Sequence, residues 1–70
     1  MTFGEIFQER YINIRAFARQ NDIKPTTLYT IVSGDTDPHK IGIDTWVKIA
    51  HGLGMTADEL VKLVFGDTDA

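Results

Sequence analysis

The side chains that could act as nucleophiles, general acids or metal ligands are few in this chain of 70 residues. Cysteine is absent, which excludes disulfides and thiolate metal sites. Asp35, Asp37 and Asp44 are close in sequence, but their spacing does not match a calcium-binding loop, and turn or capping roles explain them. His39 and His51 are isolated, which favours surface positions without a chemical role. With no nucleophile–base pair and no phosphate-binding glycine loop, the sequence predicts no enzyme, no cofactor and no metal site.

The net charge is −3, and the excess of acidic residues lies in the C-terminal part of the chain. Residues 1–40 contain five basic and five acidic side chains, whereas residues 41–70 contain two basic and five acidic ones. A negative net charge counts against binding to nucleic acid, because attraction between cations and phosphates supplies much of that affinity. The balanced N-terminal part is nevertheless compatible with a locally basic face.

The length indicates one small domain, which we place at residues 1–66, followed by a short flexible tail at 67–70. A chain of this size buries roughly 60% of the surface that its unfolded form exposes, so a partner subunit would help to stabilise it. No apolar run approaches the roughly 20 residues of a membrane helix, and the N-terminus does not resemble a signal peptide. We therefore expect a cytoplasmic protein without a membrane segment or an evident small-molecule ligand.

Apolar residues recur at helical spacing throughout the chain, and this periodicity predicts an all-α, compact five-helix bundle. Thr2 and Asn13 are candidate N-caps, and a Thr-Ala-Asp-Glu capping box begins at Thr56. Glycines at Gly34 and Gly54 indicate helix ends. The predicted helices are residues 3–11, residues 14–20, residues 25–33, a fourth helix capped by Asp44, and a fifth that opens at Thr56.

The stretch from Phe17 to Gly34 has the pattern of two short helices joined by a tight turn. A steep crossing requires a small residue on the first helix, which Ala18 supplies, and a flexible turn residue, which Asp22 supplies. The geometry leaves the outer face of the second helix exposed at its N-terminal end. Buried aliphatic residues are expected after the turn at Ile23, Leu28 and Ile31.

Here the chain resembles the helix-turn-helix family of phage repressors, Cro proteins and XRE-type regulators, in a register that runs without a gap from Phe17 to Gly34. A second stretch, Ile43 to Leu60, resembles the family's fourth helix, its Leu-Gly turn and the start of its fifth helix. The resemblance covers roughly residues 5–65 and implies the lambda-repressor-like fold. Together the two stretches are specific for the fold and less specific for the function.

The chain departs from the family pattern at several positions. Asp22 stands where the family usually has a turn glycine, and Ile14 stands where a glutamine often opens the second helix. Many members of the family have an arginine at the position of Phe7 and a glutamate at the position of Val32, and the two form an ion pair. In this chain both positions are apolar. Because packed apolar side chains can replace such a pair, we expect Phe7 and Val32 to lie close together. The loop after Gly34 is about three residues longer than usual, with residues 39–42 as the extra material.

The resemblance implies that the helix at residues 25–33 enters the major groove of operator DNA. Lysine can contact guanine acceptors, and threonine can hydrogen-bond to a base or touch a thymine methyl group. By position, the base-facing residues are Lys24, Pro25, Thr26, Thr27 and Thr30. The candidate phosphate contacts are Asn13, Arg15, Arg19, Tyr29, His39 and Lys40.

Such domains usually bind as dimers to two half-sites, and the last helix carries more apolar residues than one inner face needs. Val61, Val64 and Phe65 are therefore either a homodimer interface or ordinary helix packing. The function that we expect is a sequence-specific DNA-binding transcriptional regulator, most simply a repressor. The alternative is a protein-interaction module, such as an antirepressor, a toxin–antitoxin partner or a dimerisation domain, which the acidic composition and Ile14 favour.

Overall fold

A computed structural model describes residues 1–66, and the predicted tail at residues 67–70 lies outside the described residues. The described part forms five α-helices with no strand, which confirms the predicted all-α five-helix bundle. None of these helices is long and apolar enough to cross a membrane. The helices are α1 (Phe3–Glu9), α2 (Ile14–Gln20), α3 (Pro25–Ser33), α4 (Ile43–Leu53) and α5 (Ala57–Phe65), and a short 3-10 helix, Pro38–Lys40, lies between α3 and α4.

Side-chain caps begin three of the helices where the sequence predicts them. The Thr2 hydroxyl accepts a hydrogen bond from the Glu5 main-chain N–H, and the Glu5 carboxylate accepts one from the Thr2 N–H. Asn13 caps α2 by accepting from the Ala16 N–H, and Thr56 opens α5 in the same reciprocal way as Thr2. These bonds satisfy N–H groups that have no partner within a helix.

Two predicted helix boundaries are wrong. Asp44 does not cap α4: the N-cap is Gly42, two residues earlier, and the helix begins at Ile43 with no side-chain capping bond. Asp44 therefore lies in the first helical turn, where a carboxylate is still favourable beside the positive end of the helix dipole. At the other end of the bundle, α1 stops at Glu9 rather than at residue 11, because Tyr11 leaves the helical region with a φ of 53°.

Three helices end with the same left-handed turn, at Tyr11, Asp22 and Gly54. In each turn the next residue donates its main-chain N–H to a carbonyl five residues earlier: Ile12 to Phe7, Ile23 to Ala18, and Met55 to Ala50, at 2.8–3.0 Å. This is the Schellman arrangement, which satisfies carbonyls at a helix end and places an apolar residue against the last turn. Each such turn leads directly into the N-cap of the following helix.

The core is formed by apolar side chains from all five α-helices, and the residues described contain no buried polar or charged side chain. Ile12 and Leu53 are partly buried at the edge of the core: Ile12 lies in the turn before α2, and Leu53 is the last residue of α4. The buried members of the core are Phe3, Ile6, Phe7, Phe17, Ala18, Ile23, Leu28, Ile31, Trp46, Ile49, Ala50 and Leu60.

Candidate nucleic-acid interface

The α2–turn–α3 unit has the buried residues that the sequence predicts. Ala18 on α2 is completely buried, and Ile23, Leu28 and Ile31 all lie in the core. The turn residue Asp22 has a φ of 57°, the left-handed conformation that aspartate tolerates better than most residues. Since α2 and α3 pack directly against each other, the buried stripe of α3 fixes which of its side chains face outward.

The outward face of α3 is polar and exposed at its N-terminal end. Lys24, Thr26, Thr27 and Thr30 are exposed, and Pro25 occupies the first helical position, partly buried. Lys24 is the N-cap residue but forms no capping hydrogen bond with its side chain. These residues therefore form a contiguous surface that the fold itself does not use for packing, with Tyr29 exposed beside them.

The threonines on this surface differ in what their hydroxyls do. The Thr30 hydroxyl donates a hydrogen bond to the main-chain carbonyl of Thr27, at 2.8 Å. Its donor proton is therefore engaged with the helix, while its oxygen can still accept a hydrogen bond and its methyl group can make an apolar contact. Thr26 and Thr27 lie in the first turn of α3, nearest to the exposed helix end.

The N-terminal end of α3 is held against α4 by a side chain that the sequence analysis did not single out. The Lys48 ammonium donates a hydrogen bond to the main-chain carbonyl of Asp22 at 3.1 Å and lies 3.8 Å from its carboxylate. An open cleft of about 560 Å³ separates the two elements and is lined by Lys24, Thr27, Thr45 and Lys48 among others. No local spacing links residues 22 and 48, so only the folded chain reveals this contact.

The arginines that were proposed for phosphate binding remain available. Arg15 and Arg19 on α2 are exposed, and neither belongs to any of the ion pairs formed within residues 1–66. Asn13 is exposed as well, but its side-chain oxygen already accepts the Ala16 N–H as the cap of α2. Any phosphate contact from Asn13 would therefore use its amide N–H groups.

His39 and Lys40 lie on the 3-10 helix and are exposed, but the His39 ring already has partners within the chain. The ring centroid lies 4.8 Å from that of Phe65, and Nδ1 lies 3.1 Å from the Asp37 carboxylate. Hydrogen bonds from the His39 main-chain N–H and ring to that carboxylate lower the pKa of Asp37. The phosphate role predicted for His39 therefore competes with a contact that ties the loop to α5.

The exposed apolar surface differs from the one expected at the C-terminal helix. Val61 and Val64 are partly buried and pack against the core, whereas Phe65 is 38% exposed. The larger exposures belong to α4, where Ile43 is 68% exposed and Val47, one turn later, is 49% exposed. We refer to Ile43, Val47 and Phe65 as the α4 apolar patch. The exposure of Ile43 and Val47 could not be predicted from the sequence, because it depends on which face of α4 packs against the core.

Phe7 and Val32 belong to helices that pack against each other, α1 and α3, and both side chains contribute to the same core. One turn before Phe7, the Cα of Gly4 lies so near the Val32 carbonyl that an added Cβ would be 2.9 Å from its oxygen. The close approach of the two side chains stays a prediction that this packing favours.

Comparison of the chain with family models, with curated proteins and with solved structures finds no match.

Proposed function

We propose that this protein is a cytoplasmic, sequence-specific regulator that binds double-stranded operator DNA and places α3 in the major groove, most simply as a repressor of the Cro or XRE type. The observation that carries the proposal is the polar N-terminal end of α3, where Lys24, Thr26, Thr27 and Thr30 are exposed while the opposite stripe of the helix is buried. A helix presented in this way can offer cationic and hydroxyl groups to base edges.

The distribution of charge supports the same surface. Arg15, Arg19, Lys24 and Lys40 are all exposed and are absent from the ion pairs within residues 1–66. The acidic excess lies beyond residue 40, so the net charge of −3 does not describe the N-terminal part of the chain. Cations that are not engaged within the chain can each displace a counterion from the DNA backbone.

We further propose that the protein binds as a homodimer through the α4 apolar patch. Ile43 and Val47 lie one turn apart on α4, and Phe65 of α5 lines the same surface groove as Ile43. A second copy would cover these side chains and present two α3 helices to two half-sites one helical turn apart.

The test is selection from a pool of random duplex DNA, followed by sequencing and by affinity measurements at two salt concentrations. Enrichment of a palindromic site, with affinity that falls steeply as salt rises, is the expected result. Binding no better than background at low salt would overturn DNA binding.

The alternative is a protein-interaction module built on the same fold. The net charge of −3 and the exposed Ile43 and Val47 favour this function, because an apolar patch on an acidic domain suits a protein partner. The two functions differ in what Lys24→Gln does: it weakens binding to DNA but should leave binding of a protein partner at the α4 apolar patch unchanged. Val47→Asp does not separate them, because the same patch is the proposed homodimer interface.

A further inference from the structure

Tyr11 combines two features that are unfavourable for the isolated chain. Its φ is 53°, in the left-handed region where a bulky L side chain is strained, and its side chain is 94% exposed. Glycine ends a helix in this conformation without steric cost, and Gly54 does so at the equivalent turn after α4. Because the Tyr11 ring lies outside the core, packing of the ring does not offset the steric strain of the left-handed backbone.

The position of Tyr11 relates it to the proposed DNA-binding unit. Tyr11 precedes the N-cap Asn13 of α2 by two residues, and Asp22 precedes the N-cap Lys24 of α3 by two residues. These two are the non-glycine residues with positive φ among residues 1–66, and they introduce the two helices of the unit. Asp22 lies shortly before the part of α3 that we propose contacts bases, and Tyr11 has the same position relative to α2.

The sequence neighbours of Tyr11 include two cationic residues. Arg10 precedes it and Arg15 follows in the first turn of α2; both are exposed and neither takes part in an ion pair within the described residues. A phenol offers a hydroxyl donor and a flat apolar ring, which suit a phosphate oxygen and the adjoining deoxyribose.

We propose that Tyr11 is a DNA-backbone contact, an inference that rests on the proposed function. Its hydroxyl donates a hydrogen bond to a phosphate oxygen while its ring covers the adjoining sugar. Such a contact sets the position of the protein on the duplex and carries no sequence information, so it strengthens binding to every duplex. The strain at Tyr11 is then offset in the complex rather than in the free protein.

The experiment compares wild type with Tyr11→Gly and Tyr11→Phe for affinity towards the selected duplex and an unrelated duplex, and for thermal stability. We expect Tyr11→Gly to melt at a higher temperature yet to bind both duplexes about tenfold more weakly, the equivalent of one charge-assisted hydrogen bond. Tyr11→Phe should lose part of that affinity. Tyr11→Asn is the matched comparison, since asparagine also tolerates the left-handed conformation but lacks the ring, and it should weaken binding as Tyr11→Gly does.

The outcomes distinguish failure of the Tyr11 contact from failure of the proposed DNA-binding function. If wild type binds DNA and Tyr11→Gly binds equally well, the contact is refuted and the proposed function stands. A lower melting temperature for Tyr11→Gly would show that the ring supports the fold and would also overturn the inference, as would a loss confined to the selected duplex. If wild type binds no duplex, the proposed function fails and this inference fails with it.

Discussion

The Lys48 ammonium donates a hydrogen bond to the main-chain carbonyl of Asp22, 3.1 Å away and 26 positions earlier in the chain. Asp22 is the left-handed residue of the turn between α2 and α3, so its carbonyl is not part of a regular helix ladder. The bond ties α4 to the turn that precedes the proposed recognition helix. The turn before α3 is therefore linked to a residue outside the α2–turn–α3 unit.

Replacing Lys48 with Met should lower the free energy of unfolding by about 0.5–1.5 kcal/mol, because the Asp22 carbonyl loses its partner. Urea denaturation followed by circular dichroism measures the change. Lys62→Met is the control: Lys62 pairs with Asp58 at the surface of α5, and the variant should stay within about 0.5 kcal/mol of wild type. Equal effects of the two substitutions would contradict a special role for Lys48.

Gly52→Ala should destabilise the fold even though alanine is the better helix former. A Cβ at residue 52 would lie 2.6 Å from the Phe17 ring and 2.6 Å from the Asn21 amide nitrogen. The ring is buried, and the amide donates to the Phe17 carbonyl, so neither neighbour moves freely. We expect a net loss of about 1–2 kcal/mol by denaturation. His51→Ala, at the adjacent exposed position, should be neutral or slightly stabilising.

The pKa of Glu5 lies below its ordinary value of 4.5, first because its carboxylate accepts a hydrogen bond from the Thr2 main-chain N–H, and second because the Thr2 side chain lowers it further. A lowered pKa means that the carboxylate stabilises the folded state above about pH 4.5 and that this contribution is lost as the pH falls through the folded-state value. Carboxyl NMR titration should show the Glu5 value rising towards 4.5 in Thr2→Ala. An unchanged value in that variant would rule out the hydroxyl as a cause.

Replacing Lys24 with Gln should weaken binding to the selected duplex about tenfold without altering stability, because the side chain is exposed and makes no cap. Fluorescence anisotropy over a salt series measures both the affinity and the salt slope. Lys62→Gln removes the same charge from α5 and should change neither beyond a factor of about two. A similar loss in both variants would indicate a non-specific charge effect instead of base contact.

Val47→Asp should leave the monomer folded and abolish self-association, because Val47 is half exposed on the α4 apolar patch. Sedimentation equilibrium should give twice the chain mass for wild type and a single chain mass for the variant. Gln8→Asp places the same charge at an exposed position of α1, outside the patch, and should remain dimeric. Monomeric wild type at concentrations where DNA binding saturates would overturn the proposed homodimer.

Local signals in the sequence determined most helix boundaries and the fold class. The caps at Thr2, Asn13 and Thr56 each use a hydrogen bond between residues three apart, so their spacing alone predicts them. Gly34 ends α3 with a positive φ for the same local reason. The inner stripe of α3 was also predictable, because Leu28 and Ile31 lie about one turn apart on the helix.

Only the tertiary structure decided which apolar residues are left at the surface and which polar groups meet. Val61 and Ile43 are both aliphatic residues on helices, yet packing against the core partly covers the first and leaves the second exposed. The pairing of Lys48 with Asp22 and of His39 with Phe65 joins residues 26 positions apart in each case. Burial and such contacts depend on how whole helix faces fit together, which no short window of sequence specifies, whereas capping bonds form within a single turn of chain.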